Sequence, residues 1–249
     1  MSGHSKWSQI KRQKGANDAK RGAMFTKVGR EIAVAARAGG ADPDGNFRLR
    51  LAIEKARSVN MPADTIKRAI ERASGGADGE QFEEIAYEGY GPGGVAIFVE
   101  AATDNRNRTA AEIRSIFTKN GGQLAGSGSV AWQFEPRGLV TVNLNGQDAD
   151  EVALTAIDAG ADDVDTDVEP LEIFTEPGEL ERVRRSLEGA GVSIDSAETT
   201  VVPKTTVELD DSKARQALRL VEQLEDLEDV QRVTANFDIP EEVFAEVTA

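Results

Sequence analysis

The sequence predicts a multidomain α and α+β protein: an N-terminal three-helix bundle with a basic arm, then two ferredoxin-like α/β domains, one inserted in the other. Three observations carry this. Apolar residues recur at steps of three and four up to residue 76, strand-like runs begin near residue 82, and the stretch from about 137 to 202 spells β-α-β-β-α-β. A chain of 249 residues has room for two or three compact units.

In "NDAKRGAMFTKVGREIAVAARAGG", Phe25, Val28, Ile32 and Ala35 or Ala36 form one apolar stripe, and Gly39-Gly40 ends the helix. The turn-rich "GGADPDGN" follows, with Asn46 placed to cap a second helix whose face carries Leu49, Ala52, Ile53 and Ala56. A third helix opens at Pro62 and runs through Ile66, Ala69, Ile70 and Ala73 to Gly75-Gly76. Three short amphipathic helices can bury one another's stripes.

Beyond residue 82, "IAYEGYGPGGVAIFVEAAT" reads as two strands around a Gly/Pro turn, followed by a helix over 105–119 and "SVAWQF" as a strand. "GLVTVNL", a helix over 148–159, "DDVDTDV", "LEIFTE", a helix over 178–189 and "VSIDSAETTVV" make one ferredoxin-like unit. "TTVELD", a helix over 211–226 and "VQRVTANFD" are half of another. Its other half lies upstream at 94–135, so the 137–202 unit interrupts it between its two middle strands. A hairpin tip at the surface tolerates such an insertion. The domains are therefore 1–76 (arm and helices), 77–136 with 203–249 (outer α/β), and 137–202 (inserted α/β).

Composition narrows function. There are no cysteines, which removes disulfides, thiolate catalysis and Cys-based metal sites, and a single histidine, His4, leaves no His-rich site. No stretch approaches the roughly 20 apolar residues of a membrane span, and no apolar segment follows the basic N-terminus as in a secretory signal, so a cytoplasmic location is expected. "GYGPGG", residues 89–94, matches G-x-G-x-x-G in letters, but strand residues rather than a helix follow it, and it reads as a turn. Phosphate-loop, nucleophile-elbow and zincin patterns are absent. Carboxylate pairs such as Asp162-Asp163 and Asp210-Asp211 are too common here to mark an acid/base couple, although an oxygen-ligand magnesium site is compatible with them. The expectation is a non-enzymatic protein with no cofactor and no small-molecule substrate.

The charge distribution is informative. Net charge is -15, yet residues 1–76 hold 16 Lys and Arg against 7 Asp and Glu, while the remainder holds 13 against 37. A basic end on an acidic body points to an anionic partner for that end. The acidity of the body has a second explanation, a proteome-wide enrichment in Asp and Glu, which leaves the basic end unaccounted for. The arm carries Lys6, Lys11, Arg12, Lys14, Lys20 and Arg21 against Asp18, with Trp7 among them. Cations neutralise phosphates and an indole can stack on a base, which together make a nucleic-acid grip. The competing view is that Trp7 and Ile10 pin the arm to the bundle, and the two are compatible. Separation by several Debye lengths, about 8 Å each at physiological salt, lets the arm act despite the acidic modules. Arg48, Arg50, Lys55, Arg57, Lys67, Arg68 and Arg72 add a basic face to helices two and three.

A second basic feature is "TDNRNRT", residues 103–109, between a strand and a helix. Asn105, Arg106, Asn107 and Arg108 sit there at a helix N-terminus, where backbone N–H groups favour an anion. The alternative is a local cap network in which Asp104 pairs an arginine.

"GHSKW" (3–7), "NMP" (60–62), "YEGYGPGG" (87–94), "TDNRNRT" (103–109) and "GSVAWQF" (128–134) together resemble the YebC/PmpR family, across essentially the whole chain. Its eukaryotic relatives include a mitochondrial translational activator of cytochrome oxidase. The resemblance implies a helical domain followed by two α/β domains, one inserted in the other. It also implies a DNA-binding transcriptional regulator or, alternatively, a ribosome- or RNA-associated translation factor that assists elongation, including through consecutive prolines. By carry-over, Lys6 and Trp7 with Asn105, Arg106, Asn107 and Arg108 become candidate contacts to DNA or ribosomal RNA.

Overall fold

The computed structural model describes residues 18–74 and 81–248. Three helices come first: α1 (Asp18–Gly39), α2 (Phe47–Ser58) and α3 (Ala63–Ser74). Their stripes meet as the spacing requires, with Val28, Ile32, Leu49, Ala52, Ile53, Ala56, Met61 and Ile66 in one buried cluster. Asn46 is the hinge of this bundle. Its Oδ1 accepts the Leu49 N–H at 3.0 Å and caps α2, while its Nδ2 donates to the Ala35 and Gly40 carbonyls, both at 2.8 Å, closing the end of α1. Gly39 is glycine because a Cβ there would lie 2.7 Å from Asn46 Nδ2.

The rest of the chain forms an α+β architecture with two four-stranded antiparallel sheets. Its elements are β1 (Glu83–Tyr90), β2 (Ala96–Thr103), α4 (Arg106–Lys119), β3 (Gln123–Leu124), β4 (Phe134–Asn143), α5 (Ala149–Asp158), β5 (Asp163–Asp165), β6 (Leu171–Thr175), α6 (Leu180–Gly189) and β7 (Ser193–Pro203). They continue with β8 (Val207–Glu208), α7 (Asp211–Glu225), β9 (Val230–Ala235), β10 (Phe237–Asp238) and α8 (Glu241–Thr248). The run from β4 to β7 makes a sheet ordered β7-β4-β6-β5, the ferredoxin-like arrangement, and buries Val140, Val142, Leu171 and Ile173 against Val152, Leu180, Val183 and Leu187 of its two helices.

The other sheet is ordered β9-β2-β1-β3. Its spatial plan is the same, but the third position is held by β1 rather than by residues of "TTVELD". The β1–β2 hairpin closes over a short turn, with Gly91 N–H donating to Val95 O at 2.8 Å, so it costs little loop entropy. Val207–Glu208 instead pair in parallel with Phe237–Asp238 outside the sheet. The "GYGPGG" stretch is the hairpin turn, a 3₁₀ segment at Pro92–Gly94.

"SVAWQF" is not a strand of this sheet. Residues Ala131–Gln133 form a 3₁₀ turn, and Phe134 already belongs to β4 of the other sheet. The cause is Glu88, whose carboxylate accepts the N–H groups of Gly128 (2.6 Å), Val130 (2.6 Å) and Ala131 (2.8 Å) and so withdraws them from any ladder. The second outer strand is β3 in its place.

Along β2, Ile97, Val99 and Ala101 face α4 and α7, meeting Ile113, Phe117, Leu220 and Leu224. Helix α1 lies against β2 and β9. Between α1, α2, the β9-β2-β1-β3 sheet and β7 of the other sheet is a cavity of about 350 Å³, where Glu31, Lys55, Glu100, Glu198 and Arg232 converge.

Candidate nucleic-acid interface

The loop from Thr103 to Arg108 starts α4, and its geometry follows from its sequence. Asn105 leaves the helical region (φ -146°, ψ 90°), and its Oδ1 accepts the Arg108 N–H at 3.1 Å. Thr103 Oγ1 in turn accepts the Asn105 N–H at 2.9 Å. Both small polar side chains therefore hold the turn itself. Tyr87 Oη donates to the Arg106 carbonyl at 3.2 Å and ties the turn to β1.

Arg108 does not project freely. Its Nη2 lies 2.7 Å from Asp104 Oδ1 and 2.7 Å from Asp229 Oδ2, and these hydrogen bonds, Asp229 first, push its pKa up. The cap network and the arginine-carboxylate pair are thus both present. Arg106 is different: 61% of its side chain is exposed, with Glu83 Oε1 at 3.6 Å as its ion-pair partner. Asn107 is also exposed. Residues 104–108 are all exposed, but Asn105 and Arg108 use their side chains to build the turn, and Arg106 carries the more exposed of the two guanidinium groups.

Asp229 is the group that sequence reasoning missed. It precedes β9, its side chain is 4% exposed, and it meets Arg30 Nη1 of α1 at 2.6 Å as well as Arg108. Thr103 Oγ1 donates to it at 3.1 Å, and the Thr109 hydroxyl is also in contact. Burial alone would raise its pKa, but hydrogen bonds from Arg108 and Thr109, with the charge of Arg30, hold it below the ordinary aspartate range. Sequence distance hides this: Asp229 lies 199 positions from Arg30 and 121 from Arg108.

Lys6, Trp7, Lys11, Arg12 and Lys14 lie outside the described residues, and so does the Gly75-Gly76 end of the third helix. Lys20 and Arg21 contribute backbone to the start of α1, and their side chains lie outside the description. Three of the four cations of α2 are engaged by carboxylates of the chain. Arg48 pairs with Glu84, Arg50 lies 3.6 Å from Glu181, and Lys55 lies 2.9 Å from Glu31 and 3.6 Å from Glu198. Glu84 of β1, Glu181 of α6 and Glu198 of β7 tie α2 to the α/β part of the chain, while Glu31 ties it to α1. On the outer side, Arg57, Lys67, Arg68 and Arg72 are exposed.

Among the described residues, no group of three or more His, Cys, Asp or Glu side chains is arranged to hold a metal ion. Asp162 pairs with Arg137 at 2.7 Å and Asp210 caps α7. No helix among them is long and apolar enough to cross a membrane.

Comparison with known proteins matches residues 5–76 to the TACO1/YebC protein N-terminal domain and residues 82–237 to the TACO1/YebC second and third domain. A relative from Moorella thermoacetica, named "Probable transcriptional regulatory protein", is 57% identical over 243 residues, covering 96% of each chain. One from Rubrobacter xylanophilus with the same name is 55% identical over 248 residues, covering 99% of each. The crystal structure of a conserved hypothetical protein from Aquifex aeolicus superposes with a TM-score of 0.86 at 49% identity, covering 91% of this chain and 93% of that one.

Proposed function

Since the chain belongs to the TACO1/YebC family, we propose that it is a non-catalytic regulator that binds nucleic acid in the cytoplasm, specifically a DNA-binding transcriptional regulator. The observation that carries this is the segregation of charge, 16 basic against 7 acidic residues in 1–76 and the reverse elsewhere. A polyanion is drawn to the basic end and repelled by the body, which sets the orientation of binding. The names of the relatives agree with this reading.

In this reading the chain works as three units, 1–76, 77–136 with 203–249, and 137–202. The arm residues Lys6, Lys11, Arg12, Lys14, Lys20 and Arg21 neutralise phosphates and Trp7 packs on the strand. Arg106 and Asn107 make a second contact, on a turn held by Asn105 and Arg108.

The test is the salt dependence of binding. Contact with about five phosphates gives a slope of log affinity against log salt of about -4 to -5, and Lys11→Glu with Arg12→Glu flattens it by about 2. A flat response in the parent protein overturns the reading.

A second reading, ribosomal RNA as the target of a translation factor, draws on one observation. Arg48, Arg50 and Lys55 of α2 are paired with carboxylates of this chain, so three of the helix's four cations are engaged within the protein and not presented together to a major groove. Salt-sensitive co-sedimentation with ribosomes selects this reading, and its absence together with a promoter footprint selects the first.

A further inference from the structure

Two large aromatic side chains stand at the surface next to each other, and neither has a role in the fold's cores. Trp132 is 67% exposed and Tyr90 38%. Leaving an indole in water forgoes the stabilisation that burial would give it. The pair is nevertheless held firmly. Tyr90 Oη donates to the Ser129 carbonyl at 2.9 Å, and Trp132 Nε1 donates to that same oxygen at 3.1 Å. The turn beneath is fastened by Glu88 through three backbone N–H groups. From the far side, Lys204 N–H donates to Gln133 O and its Nζ to Trp132 O, each at 2.9 Å.

Three features of this arrangement define the ligand. The polar edges of both rings are already satisfied within the chain, so a binder need supply only a flat face. The ammonium of Lys204, at the backbone of Trp132, is exposed and places a cation within reach of whatever lies on the indole. The adjoining exposed residues are Gly126, Ser127 and Gly128, which offer no apolar rim of the kind a protein interface is built on. A planar, apolar-faced group attached to an anion meets all three conditions. We infer that Trp132 and Tyr90 form a stacking platform for an unpaired base of a nucleic-acid strand, with Lys204 beside its phosphate. The platform deepens the nucleic-acid-binding reading above and rests on it, adding a site remote in sequence from the arm and selective for single strands, since a paired base has no free face.

Trp7 and Trp132 are the chain's two tryptophans, so full-length protein carrying Trp7→Phe reports on Trp132 alone. Titrating this variant with an oligouridylate or oligothymidylate of eight nucleotides should quench its fluorescence, and a blunt-ended, self-complementary duplex of mixed sequence should not; the two single strands separate RNA from DNA as the source. Trp132→Ala, measured by anisotropy of a labelled strand, should lose about tenfold or more in affinity with the salt slope unchanged, while Trp132→Phe keeps most of it. Being exposed, these substitutions leave the core intact. If the Trp7→Phe variant binds the strand without quenching and Trp132→Ala binds equally well, the platform is overturned and the arm reading stands. If the wild-type protein, with Trp7 in place, binds no nucleic acid at low salt by anisotropy of the labelled strand, both fall. Quenching by a proline-rich peptide but by neither oligonucleotide would make the pair a peptide site and overturn the inference.

Discussion

Arg30 of α1 and Asp229 at the start of β9 meet at 2.6 Å, with only 12% and 4% of their side chains exposed. This contact joins the helical bundle to the β9-β2-β1-β3 sheet, and through Arg108 it reaches the turn that opens α4. Removing one partner of a buried pair leaves the other charge unpaired, at a cost of about 3 to 5 kcal/mol. Asp229→Asn should therefore lower the urea midpoint strongly, and in addition change the environment of the 103–108 turn. Replacing Arg30 and Asp229 together should cost less than the sum of the single changes, and a double-mutant cycle checks this. The pKa of Asp229 is depressed on folding, so its contribution is present above the unfolded aspartate pKa, about 3.9, and is lost as pH falls through the lower folded value.

Asn46→Ala should destabilise the bundle selectively. The change removes the α2 cap and leaves the Ala35 and Gly40 carbonyls without their side-chain donor. Cap loss costs about 1 kcal/mol and the abandoned, buried Ala35 carbonyl adds to it, for a total of about 2 to 4 kcal/mol. Hydrogen exchange should show the loss concentrated in α1 and α2, with β4 to β7 protected as before.

Asn46 also illustrates what can be read from sequence. Its signal is local, a small polar residue between a Gly-rich turn and an amphipathic run, and both the cap and the helix follow from neighbours within four positions. The same holds for α4, whose expected start at 105 and observed start at Arg106 differ by one residue. What was hidden depends on distant partners. Glu88 converts the apolar-looking "SVAWQF" into a turn from 40 or more positions away. A hairpin strand, β1, took the sheet position assigned to "TTVELD", because edge competition is decided by three-dimensional closure and not by strand propensity. Helix α8 had only a short acidic, weakly periodic signal, and its burial of Val243 depends on the outer core against which it packs. In the candidate site, the turn at 103–108 was legible, whereas the choice of Arg108 as anchor and Arg106 as exposed arm is set by Asp229.

Glu88 should act as an acid-sensitive fastener of the Trp132 turn. Burial favours its protonated form, but the N–H groups of Gly128, Val130 and Ala131 outweigh this and depress its pKa. The stabilisation is then fully present above the unfolded glutamate pKa, about 4.3, and disappears as pH falls through the lower folded value. In the Trp7→Phe background, Trp132 anisotropy should stay constant from neutral pH down to that window and then drop. Glu88→Gln should produce the loosened state at neutral pH, since an amide turns its NH₂ toward backbone donors, at a cost of about 1 to 3 kcal/mol.

In the cavity between the bundle and the two sheets, Glu100 and Glu198 should respond oppositely to neutralisation. Glu198 lies 3.6 Å from Lys55 Nζ and also contacts Arg232, so it bridges α2, β7 and β9. Glu100 approaches Arg232 only to 3.9 Å, and burial, with Glu198 and Glu84 nearby, raises its pKa despite that arginine. A raised carboxyl pKa means that the folded state binds the proton more tightly than the unfolded chain, so ionised Glu100 works against folding as pH rises past the unfolded value. Glu100→Gln should accordingly leave the thermal midpoint at pH 7 unchanged or raise it, and Glu198→Gln should lower it. The same pair compared at pH 5 should show the Glu100→Gln advantage shrinking, because the wild-type carboxyl is then increasingly protonated. Should Glu100→Gln lower the midpoint at pH 7 as much as Glu198→Gln does, the two carboxylates would be equivalent bridges and the assignment of Glu198 as the principal one would be wrong.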